Sequence, residues 1–585
     1  MNTTWNLAPL YPDFSHPAFQ ADLEALRTAV QQQGPAFAAQ LPSLTPEEGL
    51  KQGLQLLETV EALVNKLAGF ASLRQAADTK DPEAASMLGQ ILGIYSGFAA
   101  TEAAFKAWCA QVEHLMDLVD SSPELAPYHF LMTKVLDSSR YQLPGRGEEI
   151  MAKMGLSGGN AWSDLQQYLT STVQVHYNGQ ITNLSAIRNL AYDPDPAVRK
   201  AAYEAELAAY PAIQDAVAYA LNSIKLETIS DCQLRGYASP LERTLKHSDM
   251  QPETLQAMLE AMDQYLPKFW QYLKAKAKAL GHQNGLPWYD LFAPMGSSTT
   301  KFTPEQAQDY LVNLFAKFDS ELSDMVARAF DEAWIDFFPR DGKAGGAFCS
   351  GVPSLSQSRI LTNFDGMFGD VVTLAHELGH AFHNQNIFSH KLLNQGYSMP
   401  LAETASTFNE CVVMASAIEN AANKDEKIAL VESQLQDACQ IICDIYSRFT
   451  FEKRVFDNRQ QQFMNAETLK GFMLDAQKQC YGDGLDHSVL HPYMWVCKSH
   501  YYGPTYYNFP YAFGGLFARG LYAQYEAEGA SFVPKYKKLL YTTCVATAED
   551  TAKVAGIDLT DKQFWCSALQ TIADQIDLFC RLVEE

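Results

Sequence analysis

Asp370-Val-Val-Thr-Leu-Ala-His-Glu-Leu-Gly-His-Ala-Phe-His383 is the stretch on which the reading of this chain turns. Asp370 is a good N-cap in front of an apolar run, so the segment is predicted to be a helix. Within it stands His376-Glu377-Leu378-Gly379-His380. Two histidines at i and i+4 leave one helix face about one turn (~5.4 Å) apart. Their imidazoles can converge on one tetrahedral metal ion. Glu377, next to the first ligand, reaches a water on that metal rather than the metal itself. The spacing points to metal-assisted hydrolysis with Glu377 as the base.

A structural zinc site closes with four protein ligands, whereas a catalytic one uses three and keeps a position for water. The third ligand therefore matters most. A metzincin would continue as His-x-x-Gly-x-x-His, but His383 and Asn386 occupy the corresponding positions, which excludes that class. Downstream lies Pro400-Leu-Ala-Glu-Thr-Ala-Ser-Thr-Phe-Asn-Glu410. Glu403 and Glu410 are seven apart and are expected on one helix face, two turns from each other. One can ligate while the other orients a ligand imidazole, and local sequence leaves both assignments open. The thermolysin-type Glu-x-x-x-Asp is absent, because Thr407 stands four after Glu403. His383 and His390 read as packing or surface histidines.

Working outward, 585 residues exceed what one hydrophobic core supports, so several units or one large helical body with subdomains are expected. Apolar residues make up 47% and aromatics 12%, enough for a large core and an aromatic-lined cleft. The 44 Lys+Arg against 68 Asp+Glu give a net charge of -24, which argues against nucleic acid and anionic membranes as partners. Eleven cysteines occur without a C-x-x-C pair, which fits reduced thiols in a cytoplasmic protein; Cys439 and Cys443 read as core thiols. The N-terminus, Met1-Asn-Thr-Thr-Trp5, has no basic and apolar leader pattern, and no apolar run is long enough to span a membrane.

Most windows carry helix formers with apolar residues three and four apart. Helices are predicted over 46–67, 196–210 and 252–266, each with Pro in its first turn; Pro211 and Pro267 should end or kink the last two. Weak boundaries near residues 110 and 192–196 divide the chain into 1–110, 111–195 and 196–585. Residues 347–349 and 359–364 read as short strands, so a small β-sheet is expected beside the motif helix.

Four stretches together resemble the oligoendopeptidase F branch of the thimet oligopeptidase family of zinc peptidases. They are Gly345-Gly-Ala-Phe-Cys349 with Arg359-Ile-Leu-Thr-Asn-Phe364, the 370–383 motif, Ala402 to Glu410, and the tyrosine-rich Trp495 to Tyr511. Thr4-Trp-Asn-Leu7 and the region around Ala186-Ile-Arg-Asn-Leu190 extend the resemblance toward the whole chain. It implies a mainly α fold, two-lobed around a deep central channel for short unstructured peptides, whose internal bonds are cut. It implies one Zn2+ per chain on His376, His380 and Glu403, with Glu410 behind a ligand. It implies that an extended substrate pairs with an edge strand, placing Gly346, Ala347, Arg359 and Leu361 at the substrate. Peptide hydrolysis builds charge on the carbonyl oxygen, and phenol and imidazole donors can be aimed at it. His500, Tyr507 and Tyr511 match the family's donors; Phe509 stands where Tyr is common and Pro510 interrupts the run, leaving Tyr506 and Tyr507 as alternatives.

Two rivals share the motif. A zinc carboxypeptidase or dipeptidyl carboxypeptidase would need a cation for the substrate's terminal carboxylate, for which Arg359 and Lys498 are on offer. A non-catalytic peptide- or metal-binding protein would have no need of Glu377.

Overall fold

A computed structural model describes residues 2–297 and 300–584. The helical periodicity of the sequence is realised almost throughout. The elements used below are α1 (Pro46–Ala77), α2 (Pro196–Ala209), α3 (Pro252–Ala279), α4 (Phe368–Ile387), α5 (Thr404–Glu419), α6 (Lys424–Cys439), α7 (Ile445–Arg459), α8 (Phe509–Glu528) and α9 (Lys562–Glu584). Prolines at the first turn of α1, α2 and α3 fall where their missing N–H costs nothing. At α1 the Thr45 side chain accepts from the Glu48 N–H while Glu48 reaches back to the Thr45 N–H, closing a capping box. α2 gives way at Tyr210–Ala212 to a 3-10 turn, as Pro211 dictates. α3 instead runs through Pro267 to Ala279. Its buried stripe, from Leu255 through Phe269 to Ala277, belongs to the same core as Trp565, Leu569 and Ile576 of α9, and that packing outweighs the lost hydrogen bond.

Three apolar cores form. The largest collects side chains from Val173 to Phe579. A second packs residues between Trp5 and Phe98 with Val352 and Leu361, and a third spans Phe37 to Val135. The third core crosses the expected boundary near residue 110, because Phe105 and Cys109 pack on the helices that follow them.

Five short strands are present among the described residues. β1 (Val175–Tyr177) and β2 (Gln180–Thr182) form an antiparallel hairpin. β3 (Ile335–Asp336), β4 (Phe348–Val352) and β5 (Gln357–Leu361) form a sheet in the order β3-β5-β4, parallel on one side of β5 and antiparallel on the other. The N-terminal segment is stitched onto this sheet. The Asn6 N–H donates to Ala333 O at 2.7 Å, the Phe337 N–H donates to Thr3 O at 3.0 Å, and Arg359 Nε donates to Asn6 O at 3.0 Å. Among the described residues no helix is long and apolar enough to cross a membrane.

Candidate metal centre

The motif helix α4 begins at Phe368, so Asp370 is its third residue rather than its N-cap. The carboxylate caps from inside: Oδ2 accepts the N–H groups of Asp365, Gly366 and Met367 at 2.9–3.1 Å. This fixes the start of the helix and thereby the faces on which His376 and His380 lie.

α5 crosses α4 at very short range. A Cβ on Gly379 would lie 2.5 Å from Ala405 O and 2.6 Å from Ser406 Cα, so only glycine permits the crossing. Asn409, buried, donates to Ala375 O at 3.1 Å and pins the pair further. The crossing brings Glu403 against both histidines. Glu403 sits just before α5, not within it. Its Oε2 lies 3.3 Å from His376 Nε2 and 3.4 Å from His380 Nε2. A tetrahedral ion with ligand bonds of about 2.0–2.1 Å requires ligand atoms roughly 3.3–3.4 Å apart. The donor set of two imidazole nitrogens and one carboxylate oxygen therefore fits zinc in spacing and in chemistry.

The opposite ring nitrogen of His376 donates from Nδ1 to Glu410 Oε1 at 2.5 Å. That bond settles the tautomer and leaves Nε2 free as a ligand. Burial opposes the imidazolium, but the Glu403 and Glu410 carboxylates outweigh it and raise His376 to about 10. Burial likewise opposes the Glu403 carboxylate, and the two adjacent imidazoles together with the Ser406 hydroxyl hold it well below the usual range. The pocket is thus built for a positive charge. Glu377 is buried and raised by desolvation, with Oε2 lacking a hydrogen-bond partner among the described residues.

His500, Tyr507 and Tyr511 come together. The His500 ring stacks on Tyr507 at 5.3 Å, and Tyr511 meets His500 at 5.9 Å and Tyr507 at 5.7 Å, both edge-on. Burial and the adjoining Tyr507 push Tyr511 up to about 12, and the charge of Glu403 acts on it as well. Burial and the cations Arg448 and Lys498 lower His500, so its ring is neutral and carries one N–H to donate. Tyr506 faces the other way: it is 4% exposed against 39% for Tyr507, and packs on Phe449 and Phe456. A wholly buried set fixes this choice. Lys225 Nζ donates to Glu452 Oε1 at 2.7 Å and to Gly503 O at 3.3 Å, while Asn508 Nδ2 donates to Glu452 Oε2 at 3.2 Å.

Two residues expected at the substrate are turned away from it. Arg359 is 1% exposed and spends its donors on Asn6 O, Gln357 Oε1 and Ser358 O. Leu361 is fully buried in the N-terminal core. Both sit on β5, which is the central strand and not an edge. β4 is one of the two edges, and on it Cys349 lies close enough to feel the charge of Glu377. Gly346 and Ala347 lead into β4 and remain accessible, Gly346 with a left-handed φ of +77° and its carbonyl held by Asn363. His383 is buried, donates or accepts at Thr543 Oγ1 (2.7 Å) and stacks on Tyr397; burial pushes it down to about 3. His390 contacts Tyr541 O at 2.8 Å. Neither joins the ligand set.

A cavity of about 520 Å3 opens beside His376 and Glu377, with Glu410, Asp437 and Arg519 in its wall. Burial and the neighbouring Glu410 push Asp437 up to about 6. Sequence reasoning passed over Asp437, Asn409 and the crossing at Gly379. A glycine inside a helical motif was the one available signal among them.

Comparison with known proteins follows this geometry. Residues 189–571 match the family model described as Peptidase family M3, and residues 110–174 match the one described as Oligopeptidase F. Oligopeptidase PepF of Bacillus subtilis is 23% identical over 98% of this chain and 86% of its own length. An Oligoendopeptidase F homolog of Lactococcus lactis is 23% identical over 100% of this chain and 97% of its own. A crystal structure from Chlamydophila abortus superposes with a TM-score of 0.87 at 22% identity, covering 99% of this chain and 98% of that one. Oligoendopeptidase-F from Enterococcus faecium superposes with a TM-score of 0.70 at 17% identity, covering 97% and 99%. At these identities the two structures speak to the fold.

Proposed function

The chain belongs to peptidase family M3 and is a metallopeptidase, and from that premise we propose a zinc-dependent endopeptidase acting on internal bonds of short oligopeptides. The observation that carries the zinc assignment is the convergence of both Nε2 atoms on Glu403 Oε2 at tetrahedral spacing, with Glu377 beside them. The names of the relatives, oligopeptidase and oligoendopeptidase, support the substrate class.

In this reading His376, His380 and Glu403 hold the ion. When bound, zinc supplies a Lewis acid that polarises a carbonyl and lowers the pKa of a coordinated water to about 7. Glu410 keeps the His376 ring in the tautomer that ligates through Nε2. Glu377 takes a proton from the attacking water and delivers it to the leaving nitrogen as the C–N bond breaks. Tyr511, with Tyr507 and His500 around it, donates to the carbonyl oxygen as charge gathers there. The free edge of β4, entered through Gly346 and Ala347, offers backbone groups to an extended peptide. Eleven free cysteines support a reducing, cytoplasmic setting.

The deciding experiment is Glu377→Gln. Metal content should stay at the wild-type level while kcat on a quenched fluorescent oligopeptide falls by about 10²–10⁴. Near-normal cleavage by this variant would sink the mechanism. No cleavage by the fully metal-loaded wild type would favour a non-catalytic binder.

A further inference from the structure

A second cavity, of about 230 Å3, is lined by Arg188, Arg199, Glu206, Asp444, Lys498 and a set of aromatic rings. Its charges do not balance. Arg188 donates to Glu206 at 2.6 Å, and Arg199 donates to Asp290 at 2.8 Å. Arg448 pairs with Asp444 behind the wall. Lys498 is the cation left over: among the described residues its ammonium has no hydrogen bond or ion pair of its own, the Asp444 carboxylate that acts on it is already paired with Arg448, and burial lowers its pKa. A half-buried cation that shares its carboxylate with a second cation is incompletely neutralised, and an anionic ligand would complete the balance. The remaining wall is aromatic. Tyr192 and Phe292 meet at 5.1 Å, and Tyr203, Trp288 and Tyr289 also line the space. The cavity therefore suits a group with one negative charge and an apolar side chain.

One continuous helical run borders both this cavity and the one beside the metal centre. Gln434 and Asp437 of α6 line the cavity with His376, while Gln440 and Asp444, just beyond α6, line the one with Lys498. The charge of Asp437 acts on Tyr192 across the gap. Lys498 stands two residues before His500 and lowers it. Gln434 to Asp444 covers on the order of 15 Å at about 1.5 Å per residue. An extended peptide needs about four or five residues for that distance.

We propose that this cavity binds the C-terminal carboxylate of the peptide substrate, with Lys498 Nζ as its ionic partner and the Tyr192–Phe292 wall against the terminal side chain. The proposal rests on the peptidase reading and adds to it a subsite that counts from the substrate's end. A carboxylate held there leaves several residues between it and the scissile bond, so the cut is internal. The same chemistry could be supplied by an Asp or Glu side chain, which the experiment separates.

One oligopeptide would be made as the free acid, as the C-terminal amide, and as the amide with Glu replacing Gln near its end. For the wild type, KM should be about tenfold lower for the acid than for the amide, with kcat changed much less. In Lys498→Met the KM ratio should fall to about one, and Lys498→Arg should keep most of it. Lys498→Gln provides the same reading if the Met variant does not fold. Anisotropy binding to the Glu377→Gln variant should show the acid preference without turnover. Equal KM for acid and amide in the wild type, or a preference that survives in both Lys498→Met and Lys498→Gln, overturns the proposal. A low KM restored only by the Glu-bearing amide overturns the C-terminal assignment. Absence of any cleavage by the metal-loaded wild type overturns the peptidase reading itself, and this subsite with it.

Discussion

The ligand cluster on α4 and the donor segment 499–511 serve one candidate site but acquire their geometry differently. On α4 the backbone does the work: a four-residue interval and 3.6 residues per turn put His376 and His380 side by side, their rings 4.9 Å apart. The donor segment is a 3-10 turn, a loop and the start of α8. Nothing in its own period says whether Tyr506 or Tyr507 faces the site. Lys225, Glu452 and Asn508, far apart in sequence and wholly buried, decide it. Where geometry is local it can be read from spacing, and where it is set by distant partners it cannot.

Mutations can break or sharpen this contrast. The largest effect is expected from His380→Ala: metal content should drop from about one ion per chain to near zero by elemental analysis, and turnover should vanish. Next comes Tyr511→Phe, which should lower kcat by about 10²–10³ and leave KM and metal content close to wild type. Metal loss in that variant would show that the two regions are not separable. Glu410→Gln should weaken metal affinity by about 10–100-fold in equilibrium dialysis, because the tautomer of His376 is no longer held by a charge. The smallest and most discriminating pair is Tyr506 and Tyr507. Tyr507→Phe should cost about tenfold in kcat with an unchanged melting temperature. Tyr506→Ala should cost about 3–5 kcal/mol of stability in denaturant unfolding. The opposite outcome would reassign the two side chains.

Much of the fold was legible for the same reason. Helix periods and first-turn prolines announced α1, α2 and α3. The strand signal before the motif was sound in part, since β4 (348–352) and β5 (357–361) overlap the expected 347–349 and 359–364. Which of the two is the edge was not legible. β5 is central because β3, two residues long and 22 positions upstream of it, pairs along its other side, and its faces are covered by the main core at Ile360 and the N-terminal core at Leu361. Arg359 and Leu361 read as accessible only as long as β3 is unseen. Pro267 misled in another way: local stereochemistry favours a break, and burial along α3 overrides it. Glu403 and Glu410 were equivalent by spacing. The crossing at Gly379 separates them by setting Glu403 at the Nε2 side of His376 and Glu410 at Nδ1.

The hydrogen bonds that tie Thr3 and Asn6 to residues 333, 337 and 359 bear on how the chain is made. Thr3 and Asn6 find these partners only after roughly 330 further residues have been added. At about 5–20 residues per second that delay is roughly 15–70 s. The backbone groups of Thr3 and Asn6 lack these partners for that whole interval, although Trp5 can already pack with the residues between Leu10 and Phe98 that share its core. The sheet beside the motif helix is therefore finished late in biogenesis, from both ends of a long separation, and a bulky fusion placed directly before Thr3 should slow maturation more than one placed on any exposed loop.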